Sequence, residues 1–134
     1  MSGLILKLAP RERVLINGAV IENGDKRTRL SIRSPNAHIL RLRDAIHPDD
    51  AQTPVARVCY ICQLVITGDA NETQGRQQAL HGIEQLSRAF GDSESRNILD
   101  AATRSLIDRN YYQAMKHLRR LLTREARLLA QDQP

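Results

Sequence analysis

The chain has 134 residues, of which 41% are hydrophobic and 26% charged, so one domain or two small units with a real core are expected. One Phe, three Tyr and no Trp argue against RNA-binding sheets that stack bases on rows of aromatic side chains. The longest apolar stretch, residues 58–66, is far shorter than the roughly 20 residues that a membrane-spanning helix needs.

The formal net charge of +5 is concentrated in the first third of the chain. Residues 1–47 contain nine basic and four acidic side chains, whereas residues 48–134 contain eleven of each. A basic segment attached to a neutral one predicts a polyanionic partner for the basic part.

Short strands are predicted through the first 46 residues. Residues 4–8, 28–32 and 39–43 alternate between apolar and polar side chains, which is the period of a half-buried strand. Asn17-Gly18 separates two apolar triplets and is a strong signal for a tight hairpin, because both residues readily take positive φ angles. We expect four or five short antiparallel strands with one apolar face.

The hydrophobic period changes to that of a helix after the polar junction at residues 47–50. Thr53-Pro54 predicts the start of a first helix, and Gly68 predicts its end. Further helices are expected over about residues 72–90, after residues 91–93, and from residue 111 onward. The chain is therefore predicted to be an α+β protein, with a small antiparallel β module (residues 1–47) followed by a bundle of about four helices (residues 48–134).

Catalytic and metal-binding motifs are not expected. Cys59 and Cys62 have the C-x-x-C spacing, but they lie inside an apolar helix and no second ligand pair accompanies them, so we predict core packing rather than a zinc or redox site. No Gly-rich phosphate loop or nucleophile elbow is present, so we expect neither an enzyme nor a cofactor. Residues 4–8 are interrupted by Lys7 and do not form an export signal, which favours a cytoplasmic protein with reduced thiols.

Five basic residues lie opposite the apolar face of their predicted strands: Lys7, Arg29, Arg33, Arg41 and Arg43. Together they would present positive charge on one side of a small sheet. The planar guanidinium fork of arginine suits phosphate, so we predict that these residues bind RNA. A merely solvated polar face is the alternative.

Five segments resemble one known family. They are residues 4–10, 12–24, 34–37, 40–48 and 124–129, and they include the motifs Asn17-Gly18-Ala19-Val20 and Arg41-Leu42-Arg43-Asp44. The family is that of the flagellar regulator FlbT. The resemblance implies a cytoplasmic post-transcriptional repressor of flagellin synthesis, which associates with the 5′ untranslated leader of flagellin mRNA and promotes its degradation.

A second, weaker resemblance concerns residues 4–46. The shared features are Leu4-Ile5-Leu6, Glu12, Arg29-Leu30, Ile32, Pro35, Arg43-Asp44 and Ile46. They are similar to the carbon storage regulator RNA-binding proteins, in which the first strand and an arginine near the last strand clamp single-stranded RNA across a dimer. Arg43 corresponds to that arginine, with one residue inserted before it. The family's paired basic residues on the first strand are replaced here by Leu8 and Ala9.

Two functions from different classes follow. The first is RNA binding by the basic β module, with the flagellin mRNA leader as partner. The second is a helical adaptor, in which the electroneutral residues 48–134 bind a flagellar partner such as flagellin or its chaperone, or another flagellar regulatory protein. No membrane partner is expected, and the sequence leaves open whether two copies form a homodimer.

Overall fold

The computed structural model describes residues 3–131. These residues form antiparallel strands followed by four helices, which confirms the predicted α+β class. The chain divides between Ala45 and Ile46 into two compact units, and each is described separately below.

The first unit contains five short strands in two sheets. The strands are β1 (Leu4–Leu8), β2 (Arg13–Ile16), β3 (Ala19–Glu22), β4 (Thr28–Ile32) and β5 (Ile39–Arg41). Strands β1 and β4 form an antiparallel pair, and the other three form a sheet in the order β3-β2-β5. The prediction of a single basic sheet was therefore wrong, because β5 pairs with β2 and not with β4.

The β2–β3 hairpin turns at Asn17 and Gly18, whose φ angles of 50° and 86° are those of the predicted primed turn. Asn17 also fixes the approach to β5. Its side-chain oxygen accepts a hydrogen bond from the His38 N–H at 2.8 Å, and its own N–H donates to the His38 carbonyl at 2.9 Å. One short turn thus positions three strands.

The core of the first unit is small and aliphatic. Its buried hydrophobic side chains are Leu6, Leu8, Val14 and Leu40, of which Val14 is fully buried. Beyond Arg41 the extended chain stops, and Leu42–Asp44 form a single turn of 3₁₀ helix. Arg43 therefore projects from a turn that follows β5, and not from the strand that the alternation had predicted.

Four helices form the second unit, as predicted. They are α1 (Pro54–Thr67), α2 (Glu72–Ala89), α3 (Ser93–Ile107) and α4 (Tyr111–Gln131). Side-chain oxygens of Thr53, Asn71 and Asp92 accept N–H groups at the starts of the first three helices. Gly68 ends α1 with a φ of 83°, the left-handed conformation that favours glycine. Local capping chemistry thus sets most of the helix boundaries.

The helical core is built mainly from Leu, Ile, Val and Ala side chains. Helix α4 packs against α1 and α3, and α2 packs against the same two helices. Cys59 and Cys62 are fully buried in this core, which confirms their predicted packing role. Burial raises the pKa of both thiols to about 12, so they stay protonated and weakly reactive near neutral pH. Within residues 3–131, no helix has the length and apolar character needed to span a membrane.

One acidic side chain is buried in the helical unit. Glu125 of α4 is only 6% exposed, and its carboxylate accepts a hydrogen bond from the Val55 N–H at 3.0 Å. Val55 lies in the first turn of α1, where backbone N–H groups have no partner within the helix. Helix α4 therefore supplies a cap to a helix that lies 70 residues earlier in the chain.

Candidate nucleic-acid interface

Two cations face each other on the β1–β4 pair. The antiparallel register places Lys7 directly opposite Arg29, and both side chains are exposed. Like charges in opposite positions destabilise a strand pair. Within the described part of the chain, no carboxylate forms an ion pair with either residue. The pair therefore forms a local concentration of positive charge that an anion would relieve.

This pair lines a cleft of about 500 Å³ in the β module. The lining residues are Lys7, Leu8, Ala9, Glu12, Arg27, Thr28, Arg29 and Arg43. Four of them are cations and one is an acid, and the volume lies in the range of small-ligand pockets. We call this site the basic cleft.

Glu12 organises one wall of the basic cleft. Its Oε1 accepts the Ala9 N–H at 3.0 Å, and its Oε2 accepts Arg41 Nη1 at 2.5 Å. Arg41 Nη1 also donates to the Lys7 carbonyl at 3.2 Å. The Glu12 side chain is 7% exposed and that of Arg41 is 18% exposed. This ion pair therefore ties the β2–β5 sheet to β1 and leaves Arg41 little surface for a ligand.

Arg43 keeps its surface. Its Nε lies 4.0 Å from the same Glu12 oxygen, and its side chain is 63% exposed. The backbone hydrogen bond from Ala9 lowers the pKa of the Glu12 carboxyl, and the charges of Arg41 and Arg43 lower it further, against the opposing effect of burial. Glu12 is thus held ionised and directs Arg43 without covering it.

The lowered pKa of Glu12 predicts a pH-dependent contribution to stability. Its folded pKa lies below the ordinary value of 4.5, so the contribution is complete above pH 4.5 and is lost as the pH falls through the folded pKa. We expect Glu12→Gln to lower the urea midpoint at pH 7, and the difference from the unsubstituted protein to shrink below pH 4.5. Unfolding followed by circular dichroism measures both.

Glu22→Gln is the matched control for this prediction. Glu22 lies on β3, is 42% exposed and pairs with Arg13 at 2.9 Å, and exposed pairs of this kind contribute little. The assigned role would be contradicted if Glu12→Gln shifted the urea midpoint by the same amount at pH 7 and at a pH below the folded pKa of Glu12.

The structure brings three of the five predicted residues together. Lys7, Arg29 and Arg43 line the basic cleft, whereas Arg41 lies behind it in the pair with Glu12. Arg33 is exposed just after β4 ends and does not line the cleft. Sequence reasoning missed Arg27, although its spacing of two from Arg29 indicates the same side of an extended chain.

The chemistry of the cleft is that of anion binding. Arginine and lysine side chains donate hydrogen bonds and charge to phosphate oxygens. Residues 1–47 contain no Phe, Tyr or Trp, so stacking of bases on these rings does not contribute in this unit. Among residues 3–131, no cluster of three His, Cys, Asp or Glu side chains could hold a metal ion.

Comparison with protein families finds a match over most of the chain. The family model described as "Flagellar protein FlbT" matches residues 4–129, which include both units.

Curated relatives match over nearly the whole chain. A protein of Bradyrhizobium diazoefficiens named probable flagellum biosynthesis repressor protein FlbT 1 is 32% identical over 96% of this chain and 86% of its own length. A probable flagellum biosynthesis repressor protein FlbT of Rhodopseudomonas palustris is 33% identical over 95% of this chain and 98% of its own. A probable flagellum biosynthesis repressor protein FlbT of a Caulobacter species is 26% identical over 91% of this chain and 92% of its own length. No solved structure matches significantly.

Proposed function

Given that this chain belongs to the FlbT family of flagellar proteins, we propose that it represses flagellin synthesis after transcription. In this proposal it acts in the cytoplasm, binds the 5′ untranslated leader of flagellin mRNA through the basic cleft, and promotes degradation of that mRNA. The relatives' names support a repressor role in flagellar biogenesis. The observation that carries the RNA-binding step is the facing pair of Lys7 and Arg29 in one cleft with Arg27 and Arg43.

Phosphate binding explains why this site needs cations. Each lysine or arginine that contacts an RNA phosphate releases condensed counterions, so affinity falls as salt rises. For single strands the slope of log K against log salt is about −0.7 per contact. Three phosphate contacts in the cleft, from Lys7, Arg27 and Arg29, correspond to a slope of roughly −2, or about a tenfold loss of affinity between 100 and 300 mM salt.

A titration of flagellin leader RNA tests the proposal. We expect Lys7→Ala/Arg29→Ala to weaken binding and to flatten the salt slope by about 1.4, because two phosphate contacts are lost. Fluorescence anisotropy at several salt concentrations between 100 and 300 mM measures both quantities.

Arg96→Ala is the charge control, since Arg96 is exposed on α3 in the other unit. It should leave affinity and slope unchanged. If Lys7→Ala/Arg29→Ala binds leader RNA as tightly as the unsubstituted protein and with the same salt slope, the basic cleft is not the RNA site.

An adaptor role is the second candidate. A groove of about 440 Å³ between α1 and α2 favours it, with Val58, Ile61 and Leu86 along its apolar walls and Arg57 and His81 among its other lining residues. Such a groove could take an apolar segment of a flagellar protein such as flagellin or its chaperone. Nuclease treatment separates the two candidates, because binding of purified flagellin through this groove would persist without RNA.

A further inference from the structure

Helix α4 carries a row of cations along its exposed side. Lys116, Arg120 and Arg127 are all exposed, and at about 100° per residue they lie within roughly 40° of one another around the helix axis. A rise of 1.5 Å per residue spreads them over roughly 16 Å. We call these three residues the α4 ridge.

Acidic side chains are absent from this side of α4. Glu125 is the single acid on the helix, and it lies on the opposite, buried side with its carboxylate bound to the Val55 N–H. Within residues 3–131, no carboxylate forms an ion pair with Lys116, Arg120 or Arg127. Residues 48–134 contain equal numbers of acidic and basic residues, and yet one side of α4 has only basic ones.

The neighbour Arg124 shows the contrast. It pairs with Asp92 at 2.5 Å and with Glu94 at 3.0 Å, and it stabilises the start of α3. Asp92, which lines the same shallow cavity as Arg127, is thus already engaged. The cations of the ridge have no such structural task.

An aromatic ring stands at one end of the ridge. The Tyr112 side chain is 41% exposed, and Lys116 Nζ lies 5.5 Å from the centre of its ring. This arrangement combines a cation with an exposed tyrosine ring, a residue type that the β module lacks. Burial lowers the pKa of His117, and the charges of Arg120, Lys116 and Arg104 lower it further.

From this arrangement we propose that the α4 ridge is a second RNA-contacting surface, which binds backbone phosphates and stacks a base on Tyr112. The proposal rests on the proposed function for its ligand, because the same RNA provides both phosphates and bases. An acidic protein is the less suitable partner. Thr123 is the exposed side chain between Arg120 and Arg127 on this side of the helix. Within residues 116–127, no exposed aliphatic side chain lies between these cations on this side, which suits a phosphate backbone better than the apolar core of a protein interface.

The test compares four full-length proteins with a flagellin leader RNA as probe. They are the unsubstituted protein, the ridge variant Lys116→Ala/Arg120→Ala/Arg127→Ala, the cleft variant Lys7→Ala/Arg29→Ala, and the combination of both. We expect the ridge variant to flatten the salt slope by about 2, since three contacts are lost. Between 100 and 300 mM salt, the unsubstituted protein should then lose about tenfold more affinity than the ridge variant.

A charge-matched variant and a crosslink complete the design. Arg13→Ala/Arg88→Ala/Arg96→Ala removes three exposed cations that lie outside the cleft and the ridge, and it should leave the slope unchanged. Leader RNA that carries 4-thiouridine should crosslink to the peptide with Tyr112 in the unsubstituted protein.

The outcomes separate the two proposals. If only the cleft variant has reduced affinity for the leader RNA, the ridge inference is wrong and the proposed function stands. If only the ridge variant has reduced affinity for the leader RNA, the assignment of the basic cleft as the RNA site is wrong and the ridge inference stands. Absence of RNA binding by the unsubstituted protein would overturn both. If poly-glutamate displaces the RNA as effectively as unlabelled leader RNA at equal charge, the ridge is a docking surface for acidic protein and its RNA assignment fails.

Discussion

Substitution of Glu125 by alanine is expected to lower the free energy of unfolding by about 2–4 kcal/mol. The buried Val55 N–H then loses its acceptor, which costs about 1–3 kcal/mol when no water replaces it. Removal of the buried methylene adds about 0.8 kcal/mol. Chemical denaturation followed by circular dichroism at 222 nm measures the change, because most of the helical signal comes from this unit.

Two further variants separate the hydrogen bond from the general cost of substitution. Glu125→Gln keeps a carbonyl oxygen that can accept from Val55, so it should cost less than the alanine variant. Asp100→Ala removes an exposed acid from α3 and should change stability by no more than about 0.5 kcal/mol. Equal losses for Glu125→Ala and Asp100→Ala would show that the cap from α4 does not stabilise α1.

The helices could be predicted because their signals are local. Thr53, Asn71 and Asp92 each precede a helix and accept an N–H three residues on, and Gly68 ends a helix in a conformation that glycine prefers. Glu125 had no such signal. Its partner lies 70 residues away, so only the packing of α4 on α1 reveals its role.

The β module could be predicted only in part. Apolar alternation and Asn17-Gly18 indicate strands and a hairpin, but they do not state which strands pair across the module. Pairing of β5 with β2 produces two sheets and brings Arg41 to Glu12. Alternation alone predicts that Arg41 faces a ligand, and it gives no information about an ion pair between Arg41 and Glu12.

The candidate site shows the same limit. Alternation predicts that Lys7 and Arg29 lie opposite the apolar side of their strands, and the register places them face to face. Arg27 lies two residues before Arg29, so the same alternation places it on the same side. The α4 ridge was concealed because summing charge over residues 48–134 mixes Glu125, which is buried, with cations that are exposed. Burial, and not net charge, distinguishes the two.

Arg43→Ala is expected to weaken leader RNA binding by about 1–3 kcal/mol, or roughly 5- to 150-fold, with little change in the salt slope. Glu12 holds the Arg43 guanidinium at 4.0 Å and places a carboxylate beside it, which disfavours a phosphate at that position. Arg43 is therefore suited to donate hydrogen bonds to a base edge. Because this unit contains no Phe, Tyr or Trp, base discrimination there is expected to depend mainly on hydrogen bonds.

Arg33→Ala is the matched comparison for Arg43→Ala. Arg33 is an exposed arginine of the same unit, and it lies outside the cleft. Its loss should remove no more than one phosphate contact, so the slope of log K against log salt should flatten by no more than about 0.7. Single-base substitutions in the leader RNA complete the measurement, because loss of a base contact should make Arg43→Ala insensitive to one position. A slope that falls by about 0.7 in Arg43→Ala, with sensitivity retained at every position, would instead identify Arg43 as a phosphate contact.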